Sequence, residues 1–487
     1  MNLLQQLNRY ETRRQFFARG KNVLGCAALS SLLGSSFNLS GDDAPLKKNR
    51  LPHFPPKVKN IIYLHMVGGP SQMDLYDYKP VMKEWYDKDL PESIRNGQRL
   101  TTMTSGQKRF PIAPSKYKFT QAGQCGLWMN TELLPQTAKC VDDMAFIRSM
   151  HTEAINHEPA ICAMQTGSMV SGRPCIGSWV SYGLGSLNEN LPTFCVLVAE
   201  PSNKEQLQAI SGRLWSSGFL SGEYAGVSFR SQGDPILFIS NPAGLPDALR
   251  RKQLDGLRAL NELTYQKVGD PETHTRIQQF EMAFRMQASV PDLMNVKGES
   301  EATYKLYGDE AKKPGTFAFT ALLSRRLIER GVRFVQIYHN NWDNHTNVSG
   351  RLPSQCKDVD QATFGLINDL KSRGLWDSTL IIWGGEFGRT IYSQGGLTKD
   401  NYGRDHHPRC FTMWLAGGGV KGGTIYGTTD DFSYNIVDNP VHVRDLHATI
   451  LHLLGIDHSK FTVKWQGVDM RLTGVDAEAQ VVKDILS

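Results

Sequence analysis

Acidic and histidine side chains follow predicted buried strands, at the point where each strand ends. The three strand segments are NIIYLHMVGG (60–69), RFVQIYHNNWDNH (333–345) and TLIIWGGEFGR (379–389). In an open parallel α/β sheet, ligands bind outside the carboxyl ends of the strands, so residues far apart in sequence converge there. The side chains that we expect to form one site are Asp343, His345, Glu386, Asp405, His406 and His407.

This predicted site combines carboxylate oxygens with imidazole nitrogens. Such a combination suits a divalent metal ion better than a soft thiolate site would, and zinc, manganese and calcium all stay open. Neighbouring residues of an extended chain point in opposite directions. We therefore expect only one of His406 and His407 to be a ligand. The alternative for Asp343 and His345 is a structural role in capping a loop.

The second half of the chain alternates between predicted helices and strands. TFAFTALLSRRLIERG (316–331) predicts a helix that ends at Gly331 and leads into RFVQIY, and DQATFGLINDLKSRGLW (360–376) predicts a helix before TLIIWGG. This order is typical of right-handed parallel crossovers. We expect an α/β domain at 51–487 with a mostly parallel central sheet and a helical insertion at about 246–312.

The N-terminal residues have the layout of a bacterial twin-arginine export signal. TRRQFFAR (12–19) carries Arg13 and Arg14, and the weakly apolar stretch NVLGCAALSSLLGSSFNL (22–39) follows. That stretch is shorter than the about 20 apolar residues that a spanning helix needs. We expect residues 1–50 to be a signal and linker, and the protein to work in the periplasm or cell envelope, with membrane contact only through an uncleaved leader.

The charge and the cysteines exclude two other classes of protein. The formal net charge is +6, but +5 of it belongs to residues 1–50, so the basic pI does not indicate nucleic-acid binding. The eight cysteines form no CxxC motif and no zinc-finger spacing. We expect most of them to be small buried residues, although one or two disulfides stay open in an oxidising compartment.

Several segments resemble sulfatases and other members of the alkaline phosphatase superfamily. DLHATILHLLGI (445–456) resembles their late helix, and LIIWGGEFGR (380–389) resembles their metal loop, with Glu386 at the place of an Asp and Phe387 at the place of a His or Asn. HEPAICAMQTG (157–167) has the spacing of the sulfatase nucleophile element, with His157 at the place of the nucleophile. The resemblance implies a three-layer α/β/α fold of the alkaline phosphatase type.

A narrower resemblance covers nearly all of the chain after the leader, and it is to the bacterial family called domain of unknown function 1501. The motifs that carry it are GGPSQMDLYDYKP (68–80), NHEPAICAMQTG (156–167), NWDNH (341–345), WGGEFGRT (383–390) and GRDHHP (403–408). No Cys-x-Pro-x-Arg or Ser-x-Pro-x-Arg motif occurs, so a formylglycine-type sulfatase is not expected. The first strand lacks the superfamily's usual Asp ligand, and Asp74, Ser71 and His65 are its possible substitutes.

The chemistry of the residues at the predicted site indicates further roles. His157, after Asn156 at a predicted helix N-terminus, is expected to attack an ester, to act as a base or to bind the metal. The helix N-terminus would attract an anionic group. Glu386 is expected to be a ligand or a catalytic group, and Arg389 either to clamp ester oxygens or to pair with Glu386.

These observations predict an exported metal-dependent hydrolase of sulfate or phosphate esters, with an anionic ester or glycan as its substrate. One alternative is a binding protein for anions or carbohydrates that has the same fold and no turnover. The missing Ser, Cys or Thr nucleophile and Phe387 favour this alternative. A third hypothesis is a Ser-His-Asp acyl hydrolase that uses Ser71, although GGPSQ lacks the G-x-S-x-G turn.

Overall fold

The computed structural model describes residues 51–230, 234–236, 240–242, 244–475 and 478–487. The predicted export signal, residues 1–50, lies outside the described residues and stays a prediction. In the described part of the chain, no helix has both the length and the apolar character needed to cross a membrane. All seven cysteines of this part are free thiols, and six of them are buried, as the sequence predicts.

Strands and helices alternate along most of the described chain. The strands are β1 (Asn60–Met66), β2 (Phe119–Ala122), β3 (Leu127–Asn130), β4 (Met144–His151), β5 (Phe194–Ala199), β6 (Val227–Phe229), β7 (Phe334–His339), β8 (Thr379–Gly384), β9 (Gly388–Ser393), β10 (Arg404–His407), β11 (Phe411–Gly417), β12 (Thr424–Tyr426), β13 (Thr428–Thr429), β14 (Ile436–Asp438), β15 (Val441–His442), β16 (Val463–Trp465) and β17 (Val468–Met470). The α-helices are α1 (Gln72–Leu75), α2 (Glu92–Arg95), α3 (His157–Thr166), α4 (Ile176–Leu184), α5 (Asp247–Val268), α6 (Pro271–Met294), α7 (Glu301–Tyr307), α8 (Phe317–Glu329), α9 (Val348–Ser372) and α10 (Val443–Leu453). Short 3-10 helices span Pro80–Trp85, Thr137–Asp143, Gly212–Trp215, Gly222–Tyr224, Val296–Gly298, Asp309–Lys312, Trp376–Ser378 and Lys483–Ile485.

The central sheet is mixed and mostly parallel. Its strand order is β12, β4, β11, β8, β1, β7, β5, β6, with β15 also paired to β4. β11 is antiparallel to its neighbours β4 and β8, whereas the other neighbouring strands are parallel. The predicted α/β fold with a mostly parallel central sheet is therefore confirmed.

β1 shows why the sheet lies between two layers of helices. Its sequence NIIYLHM is apolar on both faces, as expected for a parallel strand that is covered twice. Ile62 and Leu64 pack in one hydrophobic cluster with α8 and α9, whereas Ile61 and Tyr63 pack in another with α3, α4 and α10. Successive side chains of a strand point to opposite faces, so the result is the predicted three-layer α/β/α arrangement.

Two long helices lie where the helical insertion is predicted. α5 and α6 pack against each other, and Arg251 of α5 donates hydrogen bonds of 2.9 and 2.6 Å to Glu281 of α6. The side chain of Asp270 accepts a hydrogen bond from the Glu272 backbone at the start of α6, a regular N-terminal cap. The chain then returns to the sheet through α7 and α8.

The middle of the sheet sets up the candidate site. β8, β1 and β7 are adjacent and parallel, so their carboxyl ends lie at the same edge. The loops that follow them carry Glu386, Gly68 and Asp343, respectively. Gly68 has a φ of +118°, and a Cβ at this position would lie 2.4 Å from the Asp343 backbone nitrogen. Only glycine lets the loops after β1 and β7 approach so closely.

We expect Gly68→Ala to destabilise the protein by about 2–6 kcal/mol in chemical denaturation. The strained φ costs about 1–3 kcal/mol, and displacement of the neighbouring backbone costs about 1–3 kcal/mol more. The control is Gly374→Ala, because Gly374 has a φ of +68° and no atom of the described residues lies within 4 Å of its added Cβ. The control should lose only about 1–2 kcal/mol. Equal losses in both variants would contradict the crowding argument.

Candidate metal centre

Four side chains from three segments meet at the loop that follows β7. His157 is the first residue of α3, Asp343 and His345 lie in the loop, and His406 lies in β10. One ligand atom from each side chain lies within 4.8 Å of the other three. The structure thus brings three of the sequence-predicted ligands together with His157.

One carboxylate oxygen, Asp343 Oδ1, lies close to a ring nitrogen of each of the three histidines. It lies 3.2 Å from His157 Nε2, 2.9 Å from His345 Nε2 and 3.5 Å from His406 Nε2. The Nε2 atoms of His345 and His406 are 3.0 Å apart. Each imidazole therefore presents the same ring nitrogen to the same small volume.

The opposite nitrogen of each of these rings faces a hydrogen-bond acceptor. His157 Nδ1 lies 2.6 Å from Glu386 Oε1, and His406 Nδ1 lies 2.7 Å from the Ile155 carbonyl oxygen. His345 Nδ1 lies 2.5 Å from the side-chain oxygen of Gln394. This network assigns the proton of each neutral imidazole to Nδ1. The three Nε2 atoms are then left with lone pairs.

Lone pairs that face one another at these distances repel, and a shared cation relieves that repulsion. His157 Nε2 is moreover buried without a hydrogen bond of acceptable geometry among the described residues. A tetrahedral zinc ion lies about 2.0–2.1 Å from its histidine nitrogens, which places ligand atoms about 3.3–3.4 Å apart. The separations of 2.9–3.5 Å from Asp343 Oδ1 agree with that spacing. The four side chains therefore fit a divalent ion.

The two carboxylates of the site are ionised although they are buried. Burial raises the pKa of Asp343, but the charge of Arg389 and the contacts with the three histidine rings lower it to well below its ordinary value. Burial likewise raises the pKa of Glu386, and the contacts with His157 and His65 bring it well below its ordinary value. Both groups carry a negative charge at neutral pH.

The histidines differ in their affinity for protons. Burial lowers the pKa of His157, but its contacts with Asp343 and Glu386 raise the pKa by more, so that the net change is upward. For His406 burial is the larger effect, only partly offset by Asp343, and its pKa falls to about 4. Of these two rings, His157 is the one at which a proton first competes with a metal ion.

Glu386 lies behind His157 and outside the set of four ligand atoms. Its carboxylate is fully buried and accepts hydrogen bonds of 2.9 and 3.2 Å from the Gly68 backbone N–H. His65 Nε2 lies 3.6 Å from its second oxygen. A carboxylate in this position orients a ligating histidine and increases its basicity. The structure thus places Glu386 in support of a ligand, whereas the sequence predicts it as a ligand or a catalytic group.

Arg389 is enclosed by the loops of the site. Its Nη2 donates a 2.6 Å hydrogen bond to Asp343 Oδ1 and a second, short one to the Gly68 carbonyl. Its Nε donates to the Gly69 carbonyl at 2.9 Å, and its Nη1 donates to the Arg404 carbonyl at 3.2 Å. The side chain is only 1% exposed. Arg389 therefore positions Asp343. It is not placed to clamp ester oxygens, the role that the sequence predicts.

The side chains of β10 alternate, so that only His406 faces the cluster. Asp405 accepts short hydrogen bonds from two threonine hydroxyls of the 101–104 loop. His407 Nε2 lies 2.7 Å from the Tyr434 carbonyl oxygen, and the two rings stack at 4.1 Å. The structure thus leaves Asp405 and His407, two of the predicted ligands, outside the cluster, because consecutive strand residues point to opposite sides.

The three additional candidates also lie apart from the four ligand atoms. Ser71 donates a 2.6 Å hydrogen bond to Asp74, whose carboxylate is also paired with Arg404 at 2.6 Å. In the described part of the chain no histidine is hydrogen-bonded to Ser71, so the arrangement of an acyl hydrolase is not formed there. Asn156 is the N-cap residue of α3, and its side chain makes no capping hydrogen bond.

Two glutamines complete the site without any signal in the sequence. Gln208 donates a 2.7 Å hydrogen bond to Asp343 Oδ2, and Gln394 holds His345. Neither glutamine belongs to a motif or a periodic pattern. Phe387, which the resemblance sets at the place of a ligand, instead packs its ring against two histidine rings at centroid distances of 4.9 and 4.6 Å.

The fold and the cluster together define an α/β protein with a candidate divalent-metal centre. The family model described as Protein of unknown function (DUF1501) matches residues 58–486. The chain belongs to this family, as its motifs predict. A search of curated proteins finds no significant match.

Solved structures with a similar arrangement include sulfatases and other members of the alkaline phosphatase superfamily. A phosphonate monoester hydrolase from Silicibacter pomeroyi is 10% identical, with a TM-score of 0.34, over 88% of this chain and 76% of that chain. A Pseudoalteromonas sulfatase is 12% identical, with a TM-score of 0.34, over 92% of this chain and 72% of that chain. A Vibrio parahaemolyticus protein in the alkaline phosphatase superfamily is 10% identical, with a TM-score of 0.36, over 83% and 68%. At these low scores, the function has to be argued from the site of this chain.

We expect the purified protein to bind one divalent ion and His345→Ala to lose it. Changes to residues that only support a ligand typically cost about 10–100-fold in metal affinity, and loss of a ligand should cost more. Metal content by mass spectrometry and competition with a chelator measure the effect. The control His452→Ala removes a histidine of α10 that lies outside the cluster. Equal metal content in wild type and His345→Ala would contradict the assignment.

Acidification should release the metal, because the imidazoles must be neutral to bind. The pKa of His157 lies above its ordinary value, so the dissociation constant should rise about tenfold per pH unit once the pH falls below that raised pKa. His406, with a pKa of about 4, adds a further proton only in acid, where the slope should steepen. Chelator competition across this range measures both slopes. An affinity that stays constant below neutral pH would rule out His157 as a ligand.

Proposed function

We propose that this protein is a metal-dependent hydrolase of phosphate or sulfate esters. The observation that carries the proposal is the convergence of three imidazole Nε2 atoms on Asp343 Oδ1, with each Nδ1 held by an acceptor. Catalytic zinc sites use three protein ligands and keep one position for water or substrate. A bound divalent ion would supply a Lewis acid that activates water and offsets the charge of the ester.

The charges of the site support an anionic substrate. Asp343 and Glu386 contribute two negative charges, and Arg389 contributes one positive charge, so the chain itself provides a net charge of −1 when the imidazoles are neutral. With a divalent cation bound, the site becomes net positive. A net positive site enclosed by protein attracts an anionic ester more strongly than a neutral one.

The residues around the ligands fix their positions for this chemistry. Glu386 fixes the orientation of the His157 ring. Arg389 and Gln208 each donate a hydrogen bond to one oxygen of Asp343 and fix the position of its carboxylate. In the described residues, none of the hydrogen bonds of the four ligand side chains involves a Ser, Thr or Cys side chain. In our proposal, His157 is therefore a ligand, and water is the nucleophile. The sulfatase-like motifs of the sequence support a glycan as the carrier of the ester.

A second candidate function is binding of an anion or carbohydrate without turnover. The observation that favours it is the position of Asp343 Oδ1, which lies 2.9–3.5 Å from all three Nε2 atoms and can complete a four-ligand set. Four protein ligands are typical of structural zinc sites, which keep no open position. The two functions therefore differ in the role of Asp343: it binds the metal in the four-ligand site, and it only lies beside the metal in the three-ligand site.

Hydrolysis by metal-loaded protein tests the leading proposal. The probes are p-nitrophenyl phosphate, bis-p-nitrophenyl phosphate and p-nitrophenyl sulfate, each with zinc, manganese or calcium. We expect turnover of at least one probe, its loss in His345→Ala and its retention in His452→Ala. If fully loaded protein hydrolyses none of the probes and binds inorganic sulfate or phosphate unchanged, the binding function replaces the hydrolase.

We also propose that the protein is exported through the twin-arginine route. Arg13 and Arg14 ahead of a short apolar stretch support this proposal. A fusion of residues 1–50 to a reporter that functions only outside the cytoplasm should be active, and Arg13→Lys with Arg14→Lys should abolish that activity. Export that is unaffected by the double substitution would contradict the route.

A further inference from the structure

A second cleft opens beside β10, apart from the four ligand atoms. Its volume is about 530 Å³, and its walls include Arg99, His151, Glu153, Ile155 and Arg409. The cleft is lined by charged groups, amides and backbone with few large apolar side chains. A cleft of this character suits a polar, charged ligand rather than an apolar one.

Two guanidinium groups on this cleft have no partner among the residues that the structure describes. Arg99 and Arg409 are both exposed, and neither forms a hydrogen bond or ion pair with any of the described residues. Two cations that line one concave surface raise the local concentration of anions. Guanidinium groups also bind the oxygens of sulfate and phosphate through paired hydrogen bonds.

The acidic residue of the cleft does not cancel this charge. The two carboxylate oxygens of Glu153 lie 3.0 and 3.1 Å from His442 Nε2. This contact with an imidazole leaves the carboxylate its negative charge. The two arginines outnumber this one carboxylate, so the charged side chains of the lining carry a net charge of +1 and the cleft favours an anion.

Hydrogen bonds hold part of the cleft wall in place before any ligand binds. The side-chain amide of Asn435 donates to the Ile94 carbonyl at 2.9 Å and to Asp430 at 2.8 Å, and Gln98 donates a short hydrogen bond to Asn435. His407 is fixed by its stacking on the neighbouring tyrosine ring. A wall of this kind loses little conformational entropy on binding.

The cleft shares its wall with the candidate metal centre. The carbonyl of Ile155, which lines the cleft, faces His406 Nδ1 at 2.7 Å. His407 of the cleft follows His406 directly in β10, and the Thr152 backbone donates to the Pro408 carbonyl at 2.9 Å. A substrate that binds at both the metal centre and the cleft must carry an anionic group separate from the ester that reacts.

We propose that this cleft binds a second sulfate or phosphate group of a substrate that carries more than one such group, with Arg99 and Arg409 as the binding residues. The link to turnover rests on the proposed hydrolase function, whereas anion binding rests on the cleft alone. The substrate class is therefore a polyanion, and a singly charged ester fills only the metal centre.

Titration with inorganic sulfate and inorganic phosphate tests anion binding to the cleft. It is done with the full chain and with the His345→Ala variant, in which the metal centre competes less for the anion. Arg99→Gln with Arg409→Gln should weaken binding about tenfold or more, because charge-assisted hydrogen bonds are lost. The matched control is Arg258→Gln with Arg276→Gln, which makes the same charge change at exposed positions of α5 and α6 and should bind as wild type does. Absence of binding, or equal binding in the two double variants, overturns the proposal.

Turnover separates this proposal from the proposed function. With metal-loaded protein, the ratio of kcat/KM for a disulfated disaccharide to that for a monosulfated one should fall about tenfold in the Arg99/Arg409 double variant. An unchanged ratio in an active enzyme overturns the cleft as a substrate site. Sulfate binding that depends on the arginines, in a protein that hydrolyses nothing, overturns the hydrolase and leaves the anion site standing.

Discussion

The contact between the Asp343 carboxylate and the Arg389 guanidinium holds the candidate centre together. The same Nη2 atom also donates to the Gly68 carbonyl, and the other two nitrogens donate to the Gly69 and Arg404 carbonyls, so one side chain joins the loops after β1 and β7 to β9 and β10. A buried charge is costly unless it is paired. Removal of one partner from such a pair typically costs about 3–5 kcal/mol. The geometry of the ligands therefore depends on this pair before any metal arrives.

The centre also depends on a second layer that sets each ring. Glu386, Gln394 and the Ile155 carbonyl hold the three Nδ1 atoms, and this turns all three Nε2 lone pairs inward. His65 stands behind Glu386, with ring contacts to two tyrosines at 5.6 and 5.5 Å. These groups are enclosed, and hydrogen bonds in a low-dielectric interior are stronger than they are in water. The ligand set is thus arranged by the protein and does not need the metal to orient it.

Periodicity and strand ends predict the central part of this arrangement. The continuous apolar runs of β1, β7 and β8 identify buried parallel strands, and the acids after them are correctly expected at one edge. Alternation predicts that only one of His406 and His407 faces the site, but it cannot choose between them without the register of β10. The sequence predicts Asp405 as a ligand, and the structure places it outside the cluster for another reason. Its partners lie in the 101–104 loop, about 300 residues earlier, and only the tertiary fold brings them together.

The most direct test of the central claim is anomalous diffraction at the zinc edge from crystals of the metal-loaded protein. The account predicts one strong peak about 2.0–2.2 Å from the Nε2 atoms of His157, His345 and His406. Its distance from Asp343 Oδ1 will separate a three-ligand centre from a closed four-ligand one. A peak elsewhere, or no peak at this cluster in protein that carries stoichiometric zinc, would contradict the account.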